Sequence, residues 1–349
     1  MYFGGDSIDA IKIGKAISYL RKKVGYTQRE LANRLGVSDK AVSKWERGLG
    51  LPDTAIIGKI AIILDTDTDS LLAGDIIHHN NDWKGLLIIN DNTHKVTVGT
   101  MIYDKPVANF ILGYFMLMGI RIITIVCGDE NKYFFLNEYG NGEKLGIQLT
   151  YEKSIVNVCY KEDDSNVMVV SGLSVIYGVD QTRFFQKAML NRTRTTVLAL
   201  PKKRVDSPHK LYFDSEKKIV TSEDGEKLWT QYDYYQIPIA FCPAYVVNQM
   251  KFSLHDENAY YPVEFDSDMY TVILDRGFVE IPLSDWDSVN DASEFVKIVQ
   301  KACGMQIYCI AEIAWRRGLI SHDQFLQLGY EKKGTPYGDY ILELAESKR

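Results

Sequence analysis

The stretch from Thr27 to Gly48 restricts the fold of this chain more than any other. Thr27-Gln28-Arg29-Glu30 is a capping box: the Thr hydroxyl takes an orphan N–H of a first helical turn, and the Glu carboxylate returns a bond to the Thr backbone. The helix it opens runs to about Leu35. Gly36 follows where a tight inter-helix turn needs a positive φ. Ser38 is an N-cap for the next helix, Asp39 to Arg47, and Gly48 ends it. Upstream, Ile13, Ala16, Ile17 and Leu20 recur at helical spacing from Ile11, and Gly25 closes that helix. Downstream, Pro52-Asp53 opens a fourth helix, and a short fifth ends near Ala73-Gly74.

In the central pair, Leu31, Leu35, Val37, Val42 and Trp45 form a compact apolar cluster, with Ala32 small where the two helices approach. This leaves Lys40, Ser43, Lys44 and Arg47 on the outer face of the third helix. Long donor-rich side chains on one helix face suit the base edges of a DNA major groove. Gln28, at the start of the second helix, can meet phosphate beside the free N–H groups there. With Thr27, Ser38 and Asp39 at the two helix starts, these are the candidate DNA contacts. Trp45 reads as core, and Glu46 as a group that holds an arginine rather than one that touches bases.

Charge divides the same way. Residues 11–50 hold ten Lys and Arg against three acids, a local charge of +7, so the remaining 309 residues carry −13 of the net −6. An acidic body with one basic module fits a DNA reader joined to another domain. A protein-binding role for such a module stays open.

The segment resembles the Xre family of λ-repressor-like helix-turn-helix regulators over about 65 residues. The resemblance is carried by Leu20-Arg21-Lys22, by Tyr26 to Ala32, by Leu35-Gly36-Val37-Ser38 and by Val42 to Gly48.

At 349 residues the chain has room for two or three domains. The expected division is a helix-turn-helix domain over 1–74, a linker over 75–83, an α/β domain over 84–290, and a C-terminal helical extension of it over 291–349. Gly85 to Ile89 reads as a buried strand, Pro106 to Met118 as a helix and Arg121 to Val126 as a second strand. That alternation indicates a three-layer α/β unit with a mixed, mainly parallel sheet. Further strands are expected at 147–151, 167–170, 195–200, 210–213, 236–241 and 272–274. Helices are expected at 291–302, at 310–317 and from Tyr337. The five cysteines are odd in number, with no Cys-x-x-Cys pair, and are expected to be buried thiols. Acidic runs such as Glu162-Asp163-Asp164 and Asp285-Trp286-Asp287 read as solvated loops. With no signal peptide and no apolar window of membrane-spanning length, the cytoplasm is the expected location.

A second resemblance covers most of residues 84–349. Ile102-Tyr103-Asp104-Lys105-Pro106, Leu117 to Arg121, Leu145 to Tyr151, Ile176-Tyr177-Gly178, Ala311 to Ile320 and Tyr337 to Leu342 are similar to the sugar-1-phosphate nucleotidyltransferases, above all the glucose-1-phosphate thymidylyltransferases. The resemblance implies a glycine-rich loop with a catalytic Arg and Lys, and two aspartates that hold Mg²⁺. At the loop this chain has Asn90 to Lys95, without glycine; Lys95 falls at the Arg position and Thr97 at the Lys position. The two aspartate turns read Gly172-Leu173-Ser174 and Ile281-Pro282-Leu283, where neither Leu nor Pro offers an oxygen to a hard cation.

The expectation is therefore a non-enzymatic regulator with no catalytic residue, no bound metal and no cofactor. Its second domain would serve as a ligand sensor or an oligomerisation platform. Its partners are double-stranded DNA, a nucleotide-sugar or sugar phosphate effector, and further copies of itself in a homodimer or homotetramer; no membrane is involved. Lys95, Glu226, Lys227 and Tyr235 are the candidate ligand contacts, although Glu226-Lys227 reads equally as a surface ion pair. The alternatives are a bifunctional, active nucleotidyltransferase or a non-catalytic partner of one.

Overall fold

The computed structural model describes residues 9–64, 68–73, 83–89, 96–160, 166–202, 210–213, 219–220, 233–249 and 269–347. The chain divides into two compact units, residues 1–79 and 80–349.

The first unit holds five helices: α1 (Ala10–Lys23), α2 (Gln28–Leu35), α3 (Asp39–Glu46), α4 (Thr54–Ile63) and α5 (Thr68–Ala73). Their ends follow the local chemistry. The Thr27–Glu30 capping box forms at α2, Ser38 Oγ accepts the Ala41 N–H at α3, and Asp53 accepts the Ala55 N–H at the start of α4. Gly36 turns the chain at φ +72°, a conformation a side chain would strain. Gly14 serves another purpose. A Cβ there would lie 2.1 Å from the Trp45 carbonyl oxygen, so only glycine lets α1 cross α3 this closely. Ile17, Leu31, Val42 and Ile60 are fully buried at the centre of the unit.

A polar cluster lies inside this core. Arg21 on α1 donates to Glu46 on α3 through Nε at 2.5 Å and Nη2 at 3.0 Å, and its Nη1 donates to the Tyr26 carbonyl at 2.6 Å. Both side chains are nearly buried, at 8% and 6% exposure. Gln28 on α2 adds a third donor to Glu46 at 2.8 Å. Burial alone would push the Glu46 carboxyl up. The hydrogen bonds from Arg21 and Gln28, with the Arg21 charge, outweigh that and hold it below the usual carboxylate range.

The second unit is built on a nine-stranded mixed sheet. Its parallel part has the order β5 (Gln148–Glu152), β4 (Ile122–Val126), β1 (Trp83–Ile88), β6 (Asn166–Ser171). The long β11 (Asp233–Pro243) then runs antiparallel to β6 and pairs with β8 (Thr196–Lys202) and β9 (Lys210–Phe213). β12 (Tyr270–Ile273) and β10 (Ile219–Val220) complete the sheet. Two small two-stranded sheets stand apart: β2 (Met101–Ile102) with β3 (Lys105–Pro106), and β7 (Ser174–Tyr177) with β13 (Val279–Pro282).

Alternation along the strands separates two cores. Leu87, Ile123, Ile125, Met168 and Phe241 face the larger one, with α6 (Val107–Leu117) and α8 (Gln181–Met189). Leu86, Ile88, Val126, Val169 and Ala240 face the smaller one, with α9 (Ala244–Gln249). α6 is buried from Val107 to Met116, so an amphipathic pattern is neither present nor needed there. α7 (Asp129–Tyr139) lies between β4 and β5 in sequence. α10 (Trp286–Cys303), α11 (Ile310–Arg316), α12 (His322–Glu331) and α13 (Pro336–Glu346) close the unit, with Trp315 stacked on Phe325 at 4.5 Å.

Three expectations need correction. Asp285-Trp286-Asp287 is not a loop: Asp285 and Ser288 form a capping box, so α10 begins five residues earlier than the apolar spacing from Asp291 suggests. Cys159 and Cys303 are exposed, because one follows a short surface turn and the other ends α10, while Cys127, Cys242 and Cys309 are buried. Helices α7, α8 and α12 were not anticipated; all three are short, and α7 scarcely separates apolar from polar faces. The Glu162-Asp163-Asp164 run lies outside the described residues. No described helix is long and apolar enough to cross a membrane.

The second unit has its own buried ion pair. Lys105 Nζ lies 2.6 Å from Asp104 and 2.7 Å from the Gln300 carboxamide oxygen, and both charged side chains are 1% exposed. Gln300 also donates to Asp104 at 3.1 Å and accepts the Ile307 N–H at 2.9 Å. Burial draws the Lys105 ammonium below the ordinary lysine range in spite of Asp104.

Two outcomes follow from these pairs. Lys105→Met strands a buried carboxylate and should destabilise the second unit by about 3–5 kcal/mol, read by denaturant titration. Acid should act on the first unit. A carboxyl held low in the fold stabilises above its unfolded value of about 4.3, and that stability goes as pH falls through the folded value. Amide hydrogen exchange of α1 to α3 should therefore speed up below about pH 4, and Glu46→Gln should flatten that dependence.

Candidate functional site

The predicted DNA-contact residues all lie in the first unit. Lys40 and Lys44 are exposed on α3, Arg47 is exposed at its C-cap, and Ser43 is half-buried among them. Their orientation follows from the opposite face of the same helix, where Val42 and Trp45 are buried at 0% and 7% exposure. Arg47 Nε turns back to the Ser43 carbonyl at 3.2 Å, which leaves its terminal amino groups at the end of the helix.

The residues at the helix starts are differently employed. The Thr27 hydroxyl takes the Glu30 N–H at 3.2 Å and donates to the Glu30 carboxylate at 2.8 Å. Ser38 Oγ takes the Ala41 N–H at 3.2 Å, and Asp39 accepts the N–H of Lys40 at 2.8 Å. Gln28 uses its amide nitrogen on Glu46, leaving its carbonyl end as the group with spare capacity. The capping side chains thus hold backbone N–H groups in place, and α3 supplies the long donors.

Two features of this face escaped sequence reasoning. The arginine held by Glu46 is Arg21, 25 residues earlier, and no local spacing announces that pair. Arg34 lies over the Tyr26 ring at 4.5 Å, which places a cation on an aromatic face beside the start of α2.

In the second unit, strand pairing brings together the two turns where the resemblance places metal-holding aspartates. Ser174 pairs with Pro282 across β7 and β13, and the Leu283 N–H donates to the Leu173 carbonyl at 2.9 Å. Leu173 and Leu283 are 3% and 1% exposed and belong to the larger core. A hard divalent cation takes six or more oxygen ligands, about two of them carboxylate in sites of this kind. The two turns offer apolar side chains and one buried hydroxyl, so they do not fit that ion. Among the described residues no group of three or more His, Cys, Asp or Glu is placed to hold a metal.

Tyr235 sits on the same side of the sheet, 5% exposed, with its hydroxyl 3.4 Å from the Glu280 carboxylate, itself 8% exposed. It is part of the core rather than an open wall. Lys95, Glu226 and Lys227 lie outside the described residues, as does the segment from Asn90. Thr97 is described, and its backbone N–H donates to Thr100 Oγ1 at 3.1 Å.

Comparison with known proteins assigns each unit. The helix-turn-helix family HTH_3 matches residues 17–71. A glucose-1-phosphate thymidylyltransferase of Neisseria meningitidis serogroup A is 27% identical over 261 residues, 70% of this chain and 90% of that protein. The HTH-type transcriptional regulator ImmR of Bacillus subtilis is 33% identical over 72 residues, 21% of this chain and 57% of the regulator. Among solved structures, the P22 c2 repressor in complex with a synthetic operator is 35% identical, covering 18% of this chain and 96% of the repressor, at a TM-score of 0.18 over the whole chain. The chain therefore carries an Xre-like HTH_3 helix-turn-helix domain at its N-terminus, joined to a region homologous to the glucose-1-phosphate thymidylyltransferases.

Proposed function

We propose that this protein is a sequence-specific DNA-binding transcription regulator whose thymidylyltransferase-like region senses a ligand, provides an assembly platform, or does both. The observation that carries the reading is the face of α3. Arg21, Glu46 and Gln28 fix that helix from behind, so Lys40, Ser43, Lys44 and Arg47 stand out on a rigid support. A rigid donor-rich helix loses little entropy on entering a major groove, where side chains of this length reach base edges and phosphates. One module of this size covers little DNA, so two modules on paired half-sites, in a homodimer or homotetramer, are the working arrangement. The proteins with which the first unit shares sequence include a named transcriptional regulator and a repressor solved with its operator.

For the second unit, buried Leu173 and Leu283 support loss of nucleotidyl transfer. Without a cation or a basic cradle, the charge that develops on a pyrophosphate leaving group has nothing to offset it. A nucleotide-sugar or sugar phosphate can act as effector only by binding the DNA-competent and DNA-incompetent states unequally. Residues 1–74 and 84–349 would then be reader and sensor, coupled through 75–83, in a cytoplasmic protein. Homology to a named thymidylyltransferase over 70% of the chain supports a second reading, an active enzyme that also binds DNA.

Fluorescence anisotropy with DNA from upstream of the gene tests the first reading. Lys44→Ala or Arg47→Ala should weaken binding by about 1–3 kcal/mol where the side chain meets a base; loss of a phosphate contact should instead lower the salt slope by about one unit. Equal affinity of both variants and the wild type would sink the DNA role of α3. Incubation with glucose 1-phosphate, dTTP and Mg²⁺ should release no pyrophosphate, and release abolished by EDTA would establish the enzyme reading instead.

A further inference from the structure

The second unit has an open surface pocket of about 270 Å³ between the Thr97–Thr100 turn and one face of α7. Its walls are held in place. Asn131 on α7 accepts the Val98 N–H at 3.1 Å, and the Val98 carbonyl accepts the Ala108 N–H at 3.0 Å, so the turn is tied to α7 and to α6. Phe134 enters through the space left by Gly99, where a Cβ would lie 2.7 Å from its ring. Edge-to-face contacts with Phe135 and Tyr139, at 6.3 and 6.2 Å between centroids, fix that ring.

The lining is chemically one-sided. Glu130, Tyr133, Phe134, Asn137 and Glu138 follow one another at i, i+3, i+4, i+7 and i+8, which puts them on a single stripe of the helix. Lys332 pairs with Glu138 and neutralises it. Glu130 has no cationic partner among the described residues, and Tyr133 is 71% exposed at the mouth. A ligand here meets a carboxylate, two aromatic rings and a carboxamide in a space preformed by hydrogen bonds. Among the described lining residues, Glu130 carries the charge without a cationic partner and disfavours an anion, and a polyol would leave hydroxyls against the two rings.

We infer that this pocket binds a guanidinium group. A guanidinium is flat enough to stack on Tyr133 or Phe134, forks onto one carboxylate with two N–H bonds, and keeps a further N–H for the Asn137 carbonyl. A primary ammonium is more strongly hydrated and lacks the flat face, so it takes second place. The inference is independent of the DNA reading, because nothing in it depends on α3. Two sources supply this chemistry: a free guanidino compound or the arginine side chain of a peptide.

Saturation-transfer NMR on the full chain decides the matter, with agmatine as the probe, putrescine as the ammonium comparison and acetyl-Gly-Arg-Gly-amide as the peptide. Agmatine should bind with a Kd of about 1–10 mM, as suits a ligand of its size, and more tightly than putrescine. Glu130→Gln and Tyr133→Ala, both at exposed positions, should each raise that Kd about fivefold or more while leaving the thermal unfolding temperature in place. Agmatine at least as tight as the peptide identifies a free compound, and a tighter peptide identifies a protein-borne arginine; either result supports the assignment. No saturable binding up to about 50 mM would overturn it. So would a loss confined to Glu130→Gln, which would show only charge attraction without stacking.

Discussion

The ion pair between Arg21 and Glu46 governs what the first unit can do. Glu46 is the last residue of α3, and its carboxylate binds one donor group from α1 and another from α2. A helix of eight residues is marginal by itself, so its direction must come from packing. The buried pair supplies direction as well as contact, because a bidentate guanidinium tolerates little rotation of its carboxylate. Gly14 reinforces the same crossing from the other side by letting the Trp45 carbonyl approach α1. The exposed side chains of α3 therefore rest on a three-helix support in which the Arg21–Glu46 contact is completed by Gln28.

The second unit repeats this device and changes its use. Asp104 and Lys105 lie beside a two-residue hairpin that could not hold its own shape, and Gln300 on α10 satisfies both charges. This ties a tight turn near the start of the region to the C-terminal helices, 195 residues later. At the paired turns of β7 and β13 the opposite happened. Leu173 and Leu283 have joined the core, so a place that resemblance marks for charge contributes apolar burial. The juxtaposition of these turns needs no charged side chain, since the strand pairing that brings them together is made by backbone groups.

Much of the architecture was legible because it rests on short-range rules. The Thr27–Glu30 capping box, the turn at Gly36 and the buried runs at Leu86 and Ile123 declare themselves within a few residues. Where reading failed, the local pattern was ambiguous. α7 has too little amphipathicity to be told from a loop, and Asp285-Trp286-Asp287 looks solvated until the bond between Asp285 and Ser288 shows it to be a helix start. Thr27 and Ser38 were correctly placed as helix caps, but sequence could not show that the Gln28 side chain would be engaged by Glu46.

The sequence by itself determined that a helix-turn-helix comes first, that one face of the third helix is polar and cationic, and that an α/β region follows with Leu173 and Pro282 in two of its turns. Those are statements about residues a few positions apart, where covalent geometry and hydrogen-bond reach leave few choices. Only the tertiary structure decided that Glu46 takes Arg21, that Leu173 meets Leu283 inside a core, and that the Thr97–Thr100 turn lies against the α7 face that carries Glu130, Tyr133 and Asn137. Each of these joins segments whose separation along the chain carries no signal. They meet because the backbone of the sheet and the packing of the helices bring them into reach.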